Sequence, residues 1–290
     1  MISGHTAVLG VIGDPVEHTS SPAMHNAALQ ELGLDYVYVP FHVTAGQLPE
    51  AIAGMRGLGM RGMNVTVPHK QAVMEHVDEV APEAEAIGAV NTIVNDDGLL
   101  RGHNTDAYGV MESLRRDAGL EGLPARIALL GAGGAARAIL YALLQCPEVE
   151  RVDIINRTRE RAEALAADLE PAGTRVAVAA RGDRSVNGAE LVINSTSVGM
   201  TPDEEGTPLP GEGVFHTGMT LLDIVYNPLE TRLMRQAKVA GAHAVNGLGM
   251  LAYQGAGSFE LWTGQTAPAA AMKAAALAQF GSGPGTPRQT

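Results

Sequence analysis

Residues 126–137 read Arg-Ile-Ala-Leu-Leu-Gly-Ala-Gly-Gly-Ala-Ala-Arg, an apolar run that stops on glycine and resumes as an alanine-rich helix. Arg126 to Leu130 predicts a buried strand and Ala135 to Gln145 a helix, so Gly131-Ala132-Gly133-Gly134-Ala135-Ala136 forms the turn between them. Alone, a G-x-G-x-x-G/A string is weak evidence. Between a strand and a helix it has the context of a dinucleotide fingerprint. Gly131 permits the tight turn, Gly133 lets backbone N–H groups approach a pyrophosphate, and Ala136 allows close helix–strand packing. The helix N-terminus stabilises the anion.

The pattern around this turn repeats. Strands are expected at Arg151 to Ile155, Arg175 to Ala179, Leu191 to Asn194 and Leu221 to Val225, with a helix over Arg159 to Leu169. Repeated βα units of this length describe a doubly wound nucleotide-binding sheet. Upstream, strands at Val8 to Ile12, Tyr36 to Val43 and Gly62 to Val67 alternate with helices, and Ser21-Pro22 offers an N-cap hydroxyl followed by proline. This alternation predicts a second, largely parallel sheet covered by helices. Ala89 to Val94 and Leu99 to Gly102 form a strand pair across the Asp96-Asp97-Gly98 turn, followed by a helix at Val110 to Asp117. Beyond Gly247 the strands stop, leaving helices over Met250 to Thr263 and Pro268 to Phe280. They are expected to fold back onto the first unit.

Composition fits an α/β protein of two domains. The chain has 290 residues, 46% of them hydrophobic, enough to bury a large core. With 20 Lys plus Arg against 32 Asp plus Glu, the net charge of −12 argues against nucleic-acid or membrane-surface partners. The single cysteine, Cys146, rules out an intrachain disulfide and suits a reducing cytoplasm. It reads as a small core residue. No signal peptide is expected, since the first basic side chain is Arg56, and the scattered histidines suggest no metal site.

The strand after the glycine turn decides the cofactor. An NAD site carries an acid at that strand tip for the ribose 2′-hydroxyl. Here the chain reads Asn156-Arg157-Thr158-Arg159 and then Arg161, with no carboxylate at the tip. Guanidinium groups pair with a 2′-phosphate, so NADP is expected.

Three upstream segments run from small or apolar residues into polar ones: Asn64 to Lys70, Gly88-Ala89-Val90-Asn91-Thr92, and Gly102-His103-Asn104-Thr105-Asp106. Taken singly, Lys70 reads as a surface lysine and Asp106 as a helix cap. Together with Gly13-Asp14-Pro15, His18 to Asn26, the glycine turn, Asn156-Arg157-Thr158, Asn194-Ser195-Thr196, Tyr226-Asn227-Pro228 with Thr231, Gly247 to Gln254 and Trp262-Thr263-Gly264, they make the chain resemble the shikimate dehydrogenase family over nearly its whole length.

That resemblance implies NADP-dependent interconversion of shikimate and 3-dehydroshikimate, in aromatic amino-acid biosynthesis, with Lys70 and Asp106 as the catalytic pair. Thr19 and Ser21 would hold the substrate carboxylate. Thr66, Asn91, Tyr226 and Gln254 would contact the ring or its hydroxyls. Gly131, Ala132, Gly133, Gly134, Ala135, Asn156, Arg157, Thr158 and Arg161 would bind the cofactor, with Ile224 and Gly247 against the nicotinamide. The implied organisation is a substrate domain over 1–105 completed by helices within 247–280, a Rossmann domain over 106–246, and a disordered tail over 281–290. A homodimer is the candidate assembly. Thr19 stands where the family usually has serine, which opens the alternative of a quinate or dual quinate/shikimate enzyme. A non-catalytic NADP-binding regulatory module is the rival of another class.

Overall fold

The structure, a computed structural model, describes residues 2–170, 172, 174–179, 186, 188–211 and 213–281. Of the tail expected over 281–290, residues 282–290 lie outside the described residues. Six strands form the first sheet: β1 (Ala7–Gly13), β2 (Tyr36–His42), β3 (Gly62–Val65), β4 (Glu79–Val80), β5 (Thr92–Asp96) and β6 (Leu99–His103), in the order β2-β1-β3-β5-β6-β4. Strands β2, β1 and β3 are parallel, whereas β3–β5 and β5–β6 are antiparallel. The sheet is therefore mixed, not largely parallel as the alternation suggested. The expected hairpin across Asp97 and Gly98, with φ of +51° and +97°, is present, and it joins the sheet through antiparallel pairing of β5 with β3.

Helices α1 (Ser21–Glu31), α2 (Leu48–Gly57) and α3 (Pro82–Ile87) belong to this half. The N-cap of α1 is Ser20, one residue before the expected Ser21, which lies inside the helix. Residues Ala72–His76 form a 3-10 segment. Helix α4 (Asp106–Arg116) leads into the second sheet.

That sheet contains β7 (Arg126–Leu130), β8 (Arg151–Ile155), β9 (Val176–Val178), β10 (Leu191–Asn194), β11 (Thr220–Asp223) and β12 (His243–Asn246), with helices α5 (Gly134–Leu144), α6 (Arg159–Leu169) and α7 (Arg232–Val239). Its order is β12-β11-β10-β7-β8-β9, parallel throughout. The order reverses direction between β7 and β10, where open α/β sheets bind ligands beyond the strand ends. Neither α7 nor β12 stood out in the sequence. Helix α7 is short and half polar, and β12 is an edge strand with only two apolar residues.

The closing helices α8 (Leu248–Thr263) and α9 (Ala269–Gly281) pack on the first sheet. Phe259, Trp262, Met272 and Ala276 share a core with Leu9, Val11, Met24 and Tyr38. Each large apolar side chain so buried contributes about 1.5–3 kcal/mol. Gly62 makes the docking feasible, because a Cβ there would overlap the Trp262 indole, whose Nε1 donates to the Ile93 carbonyl at 2.9 Å.

Candidate active site

Two sheet ends face each other across the site. In the first sheet Val11 pairs with Asn64 and Asn64 with Thr92, so register brings polar side chains of separate segments into one row. In the second, Leu130 pairs with Asn194, Asn194 with Asp223, and Asp223 with Asn246, a row along the C-terminal strand ends.

Lys70 follows β3, and Asp106 is the first residue of α4. The lysine Nζ donates to Asp106 Oδ2 at 2.6 Å, with side-chain exposures of 18% and 7%. The pair is shielded yet open on the lysine side. Asn91 Nδ2 donates to the other Asp106 oxygen at 2.9 Å and reaches Gln254 Oε1 at 3.4 Å. Gln254 arrives there because α8 presses on α4 at Gly109, where a Cβ would stand 2.8 Å from the Gln254 Cβ.

Behind these residues lies a buried polar network of which sequence reasoning assigned only Asn91. Asn91 Oδ1 accepts from the Thr105 N–H at 2.9 Å and from Thr92 Oγ1 at 2.8 Å. Thr92 and Ser258 hydroxyls lie 2.7 Å apart, Asn64 Nδ2 donates to Ser258 Oγ at 2.9 Å, and the Tyr38 hydroxyl donates to Asn64 Oδ1 at 2.7 Å. Burial holds the Tyr38 phenol well above its ordinary pKa, opposed by a hydrogen bond with Ser21. The Asn64, Asn91 and Asn104 segments were visible as a repeated pattern. Ser258 was not, because it sits in the small-residue run of α8 and meets the others only in three dimensions.

Thr19 Oγ1 donates to Ser21 Oγ at 3.1 Å, placing the two hydroxyls side by side at the start of α1. Thr66 lies beside Gly13, where a Cβ would come within 2.5 Å of its Cγ2. Tyr226 packs at the other rim, its ring 5.8 Å from that of Phe280, and burial raises its pKa. No hydrogen bond joins Thr66 or Tyr226 to the Lys70–Asp106 pair among the described residues.

On the cofactor side, Gly131 has φ of +108°, and a Cβ there would stand 2.5 Å from Ser195 Oγ. Glycine is therefore required by both backbone and space. At Gly133 an added Cβ would meet nothing within 4 Å, so the backbone is open toward the cleft. At Gly134 the nearest neighbour of an added Cβ would be Lys70 Cδ at 3.9 Å. The glycine turn and the lysine, 64 residues apart in sequence, thus line one cleft. Ile224 and Gly247 are in contact, since a Cβ on Gly247 would overlap the Ile224 carbonyl. Asp223 anchors this corner. It accepts from Thr231 Oγ1 at 2.6 Å, Asn194 Nδ2 at 2.8 Å and the Val225 N–H at 3.1 Å, while burial raises its pKa.

At the tip of β8, Asn156 Nδ2 donates to the Thr158 carbonyl at 2.7 Å, shaping the turn. Arg159 is engaged by Glu163 one turn along α6, at 2.7 Å. Arg157 and Arg161 are exposed and have no ion-pair partner among the described residues. An open glycine backbone at a helix N-terminus, with two unpaired guanidiniums and no acid at the next strand tip, fits a phosphorylated dinucleotide.

Comparison with known proteins agrees with this geometry. The shikimate dehydrogenase substrate binding domain profile matches residues 11–93, the shikimate/quinate 5-dehydrogenase profile 118–201, and the shikimate 5′-dehydrogenase C-terminal domain profile 247–277. The chain is 48% identical over 281 residues to the shikimate dehydrogenase (NADP+) of Symbiobacterium thermophilum, covering 95% of each. The chain belongs to the shikimate dehydrogenase family. Among solved members of that family, shikimate 5-dehydrogenase of Thermus thermophilus, in complex with NADP(H) and shikimate, superposes with a TM-score of 0.84. It is 40% identical over 94% of this chain and 99% of that one. Quinate dehydrogenase of Corynebacterium glutamicum, in complex with NAD, superposes with a TM-score of 0.85 at 30% identity, over 94% and 99%.

Cys146 is half-buried just past α5, its Sγ 3.6 Å from the Ala142 carbonyl, and burial pushes its thiol pKa up. A nucleophile needs the opposite shift. His69 is buried with Nε2 2.6 Å from the Val43 carbonyl, and His103 pairs with Glu83. No helix among the described residues is long and apolar enough to cross a membrane.

Proposed function

We propose that this protein is an NADP-dependent dehydrogenase that interconverts shikimate and 3-dehydroshikimate in aromatic amino-acid biosynthesis, with Lys70 and Asp106 acting on the reacting hydroxyl. The observation that carries the reading is the Lys70–Asp106 contact at 2.6 Å, with the lysine stem against Gly134 of the dinucleotide turn. Proton handling and cofactor binding therefore share one cleft. NADP+, when bound, accepts a hydride from the alcohol carbon, and NADPH returns it in the reverse direction. Lys70 Nζ takes the hydroxyl proton as the hydride departs and gives it back in reduction. Asp106 holds that amine in place, and Asn91 holds Asp106. Such a proton-transfer group contributes typically about 10²–10⁴-fold in rate.

Thr19 and Ser21 are the proposed carboxylate ligands, with Thr66, Asn91, Tyr226 and Gln254 around the ring. Arg157 and Arg161 are the proposed 2′-phosphate ligands, with Gly131 to Ala135, Asn156 and Thr158 along the dinucleotide and Ile224 and Gly247 against the nicotinamide. Residues 1–105 with 247–280 form the proposed substrate domain and 106–246 the cofactor domain. The shared core of Leu9, Met24, Phe259 and Met272 supports that division.

Initial rates with shikimate and quinate, each paired with NADP+ and NAD+, test the reading. The expected result is fastest turnover with shikimate and NADP+. Faster oxidation of quinate with NAD+ would overturn the substrate and cofactor assignment, and tight NADP+ binding without turnover of either acid would favour a regulatory module.

A further inference from the structure

We propose that Arg137 is a positioning residue for this reaction. It ties the dinucleotide helix to the backbone strap that hydrogen-bonds to Lys70 and Asp106, and so sets the approach of the nicotinamide to the substrate. The proposal rests on the functional reading above and extends it to a side chain that touches neither the catalytic pair nor any assigned ligand.

Arg137 lies in the first turn of α5, directly after the glycine turn, and its side chain is only 17% exposed. Its Nε donates to the Ile87 carbonyl at 2.6 Å, and its Nη1 reaches Asp168 Oδ2 on α6 at 3.0 Å. Ile87 is the last residue of α3, so its carbonyl has no partner within its own helix. The arginine from the other half of the molecule supplies one. Such a bond, with a charged donor, is roughly twice as strong as a neutral one.

The chain just beyond Ile87 leads to the catalytic pair. Gly88 turns the backbone with φ of +71°, and a Cβ there would stand 2.9 Å from Arg137 Nη2. The Ala89 carbonyl accepts from Asn104 Nδ2 at 2.9 Å, and Asn104 Oδ1 accepts from the Asp106 N–H at 3.0 Å. The Val90 N–H donates to the Lys70 carbonyl at 2.7 Å. Asn91 then binds the Asp106 carboxylate. Residues 87–91 therefore grip both members of the catalytic pair, and Arg137 fastens this strap to the cofactor helix. Ile87 and Ala89 also pack on Ala138 of that helix. A small shift of the strap moves proton acceptor and carboxylate together, and misplacement by about 1 Å costs on the order of a hundredfold in such reactions.

The test uses the full-length protein with Arg137→Gln and Arg137→Lys. Four readouts are taken: kcat and KM, NADPH affinity by fluorescence, the deuterium isotope effect with shikimate labelled at the oxidised carbon, and amide hydrogen exchange at Val90. For Arg137→Gln we expect kcat to fall about ten- to a hundredfold, with NADPH affinity held within about threefold and a larger isotope effect. Exchange at Val90 should quicken without ligand, and Arg137→Lys should recover part of kcat. If the glutamine variant does not fold, the lysine variant carries the same measurements. Asp168→Asn, which neutralises a carboxylate that is 54% exposed, should change kcat less than about fivefold.

Unchanged kcat, isotope effect and exchange would overturn the proposal. So would a loss of NADPH affinity in proportion to kcat, which would make Arg137 a cofactor ligand. If the wild-type protein oxidises no shikimate with NADP+, the functional reading fails, while the exchange measurement still decides whether Arg137 holds the strap.

Discussion

The two sides of the cleft are built differently. On the substrate side, Asn64, Asn91, Thr92, Thr105, Asp106 and Ser258 are all buried and hydrogen-bonded to one another. On the cofactor side, the contact surface is glycine backbone with open space at Gly133, flanked by the exposed Arg157 and Arg161. A buried side-chain network costs a great deal when one member is removed, because the others lose partners in a low dielectric. A backbone cradle has few side chains to remove, and its exposed charges act on the ligand more than on the fold. The substrate side is thus fixed before ligand arrives, whereas the proposed cofactor specificity would rest on a few surface groups.

The strongest break of this comparison is Lys70→Ala. It is expected to reduce kcat by about 10²–10⁴-fold while leaving NADPH affinity nearly intact, since the proton step is lost and the cradle is not. Steady-state rates paired with fluorescence titration check this, and turnover within tenfold of wild type would remove Lys70 from its role. Next comes the double change Arg157→Gln with Arg161→Gln. The KM for NADP+ should rise about ten- to a hundredfold while the KM for NAD+ stays level, because only one cofactor carries the charge these groups bind. Equal effects on both cofactors would show that the arginines do not read the 2′-phosphate.

A third test concerns stability on the substrate side. His25 is fully buried, its ring stacked 4.3 Å from Tyr38, and neither ring nitrogen has a hydrogen-bond partner among the described residues. Burial lowers its pKa from 6.5 to about 3. The unfolded chain therefore takes up a proton below pH 6.5 that the folded chain refuses. Its contribution to stability is complete above that pH and is lost as pH falls toward 3. At pH 5 the loss is about 2 kcal/mol. His25→Phe keeps the stacking and removes the proton site, so urea unfolding at pH 7 and pH 5 should show that loss in the wild type and not in the variant. Parallel curves would mean the histidine is not held neutral. The smallest effect is expected for Thr19→Ser, which removes one methyl group beside Ser21. A shift of about tenfold in the shikimate-to-quinate ratio of kcat/KM is expected, and an unchanged ratio would clear Thr19 of any part in the discrimination.

Much of this was legible in the chain. The glycine turn between an apolar run and a helix announced β7 and α5, since local backbone demands are written in the residues that meet them. The absence of an acid beside Arg157 pointed to the cofactor on charge alone. The first sheet was half legible: its strands and the hairpin across Asp97 and Gly98 stand out, but the antiparallel pairing of β5 with β3 makes the sheet mixed where the alternation implied a largely parallel one. Strand β12 and helix α7 escape a sequence reading, because an edge strand needs no apolar run and a short surface helix needs little more than one buried stripe.

The sequence by itself determined the α/β alternation, the dinucleotide turn, the arginines at a strand tip that lacks an acid, and which polar residues were candidates for chemistry. Each of these follows from the spacing of neighbouring residues. Only the tertiary structure decided that Lys70 meets Asp106, that Gly134 lies against the lysine stem, that Ser258 completes the network from α8, and that Arg137 grips Ile87 from the other half of the molecule. These contacts join residues 36 to 194 positions apart, and no local pattern encodes them. Sheet register and helix packing alone bring them together.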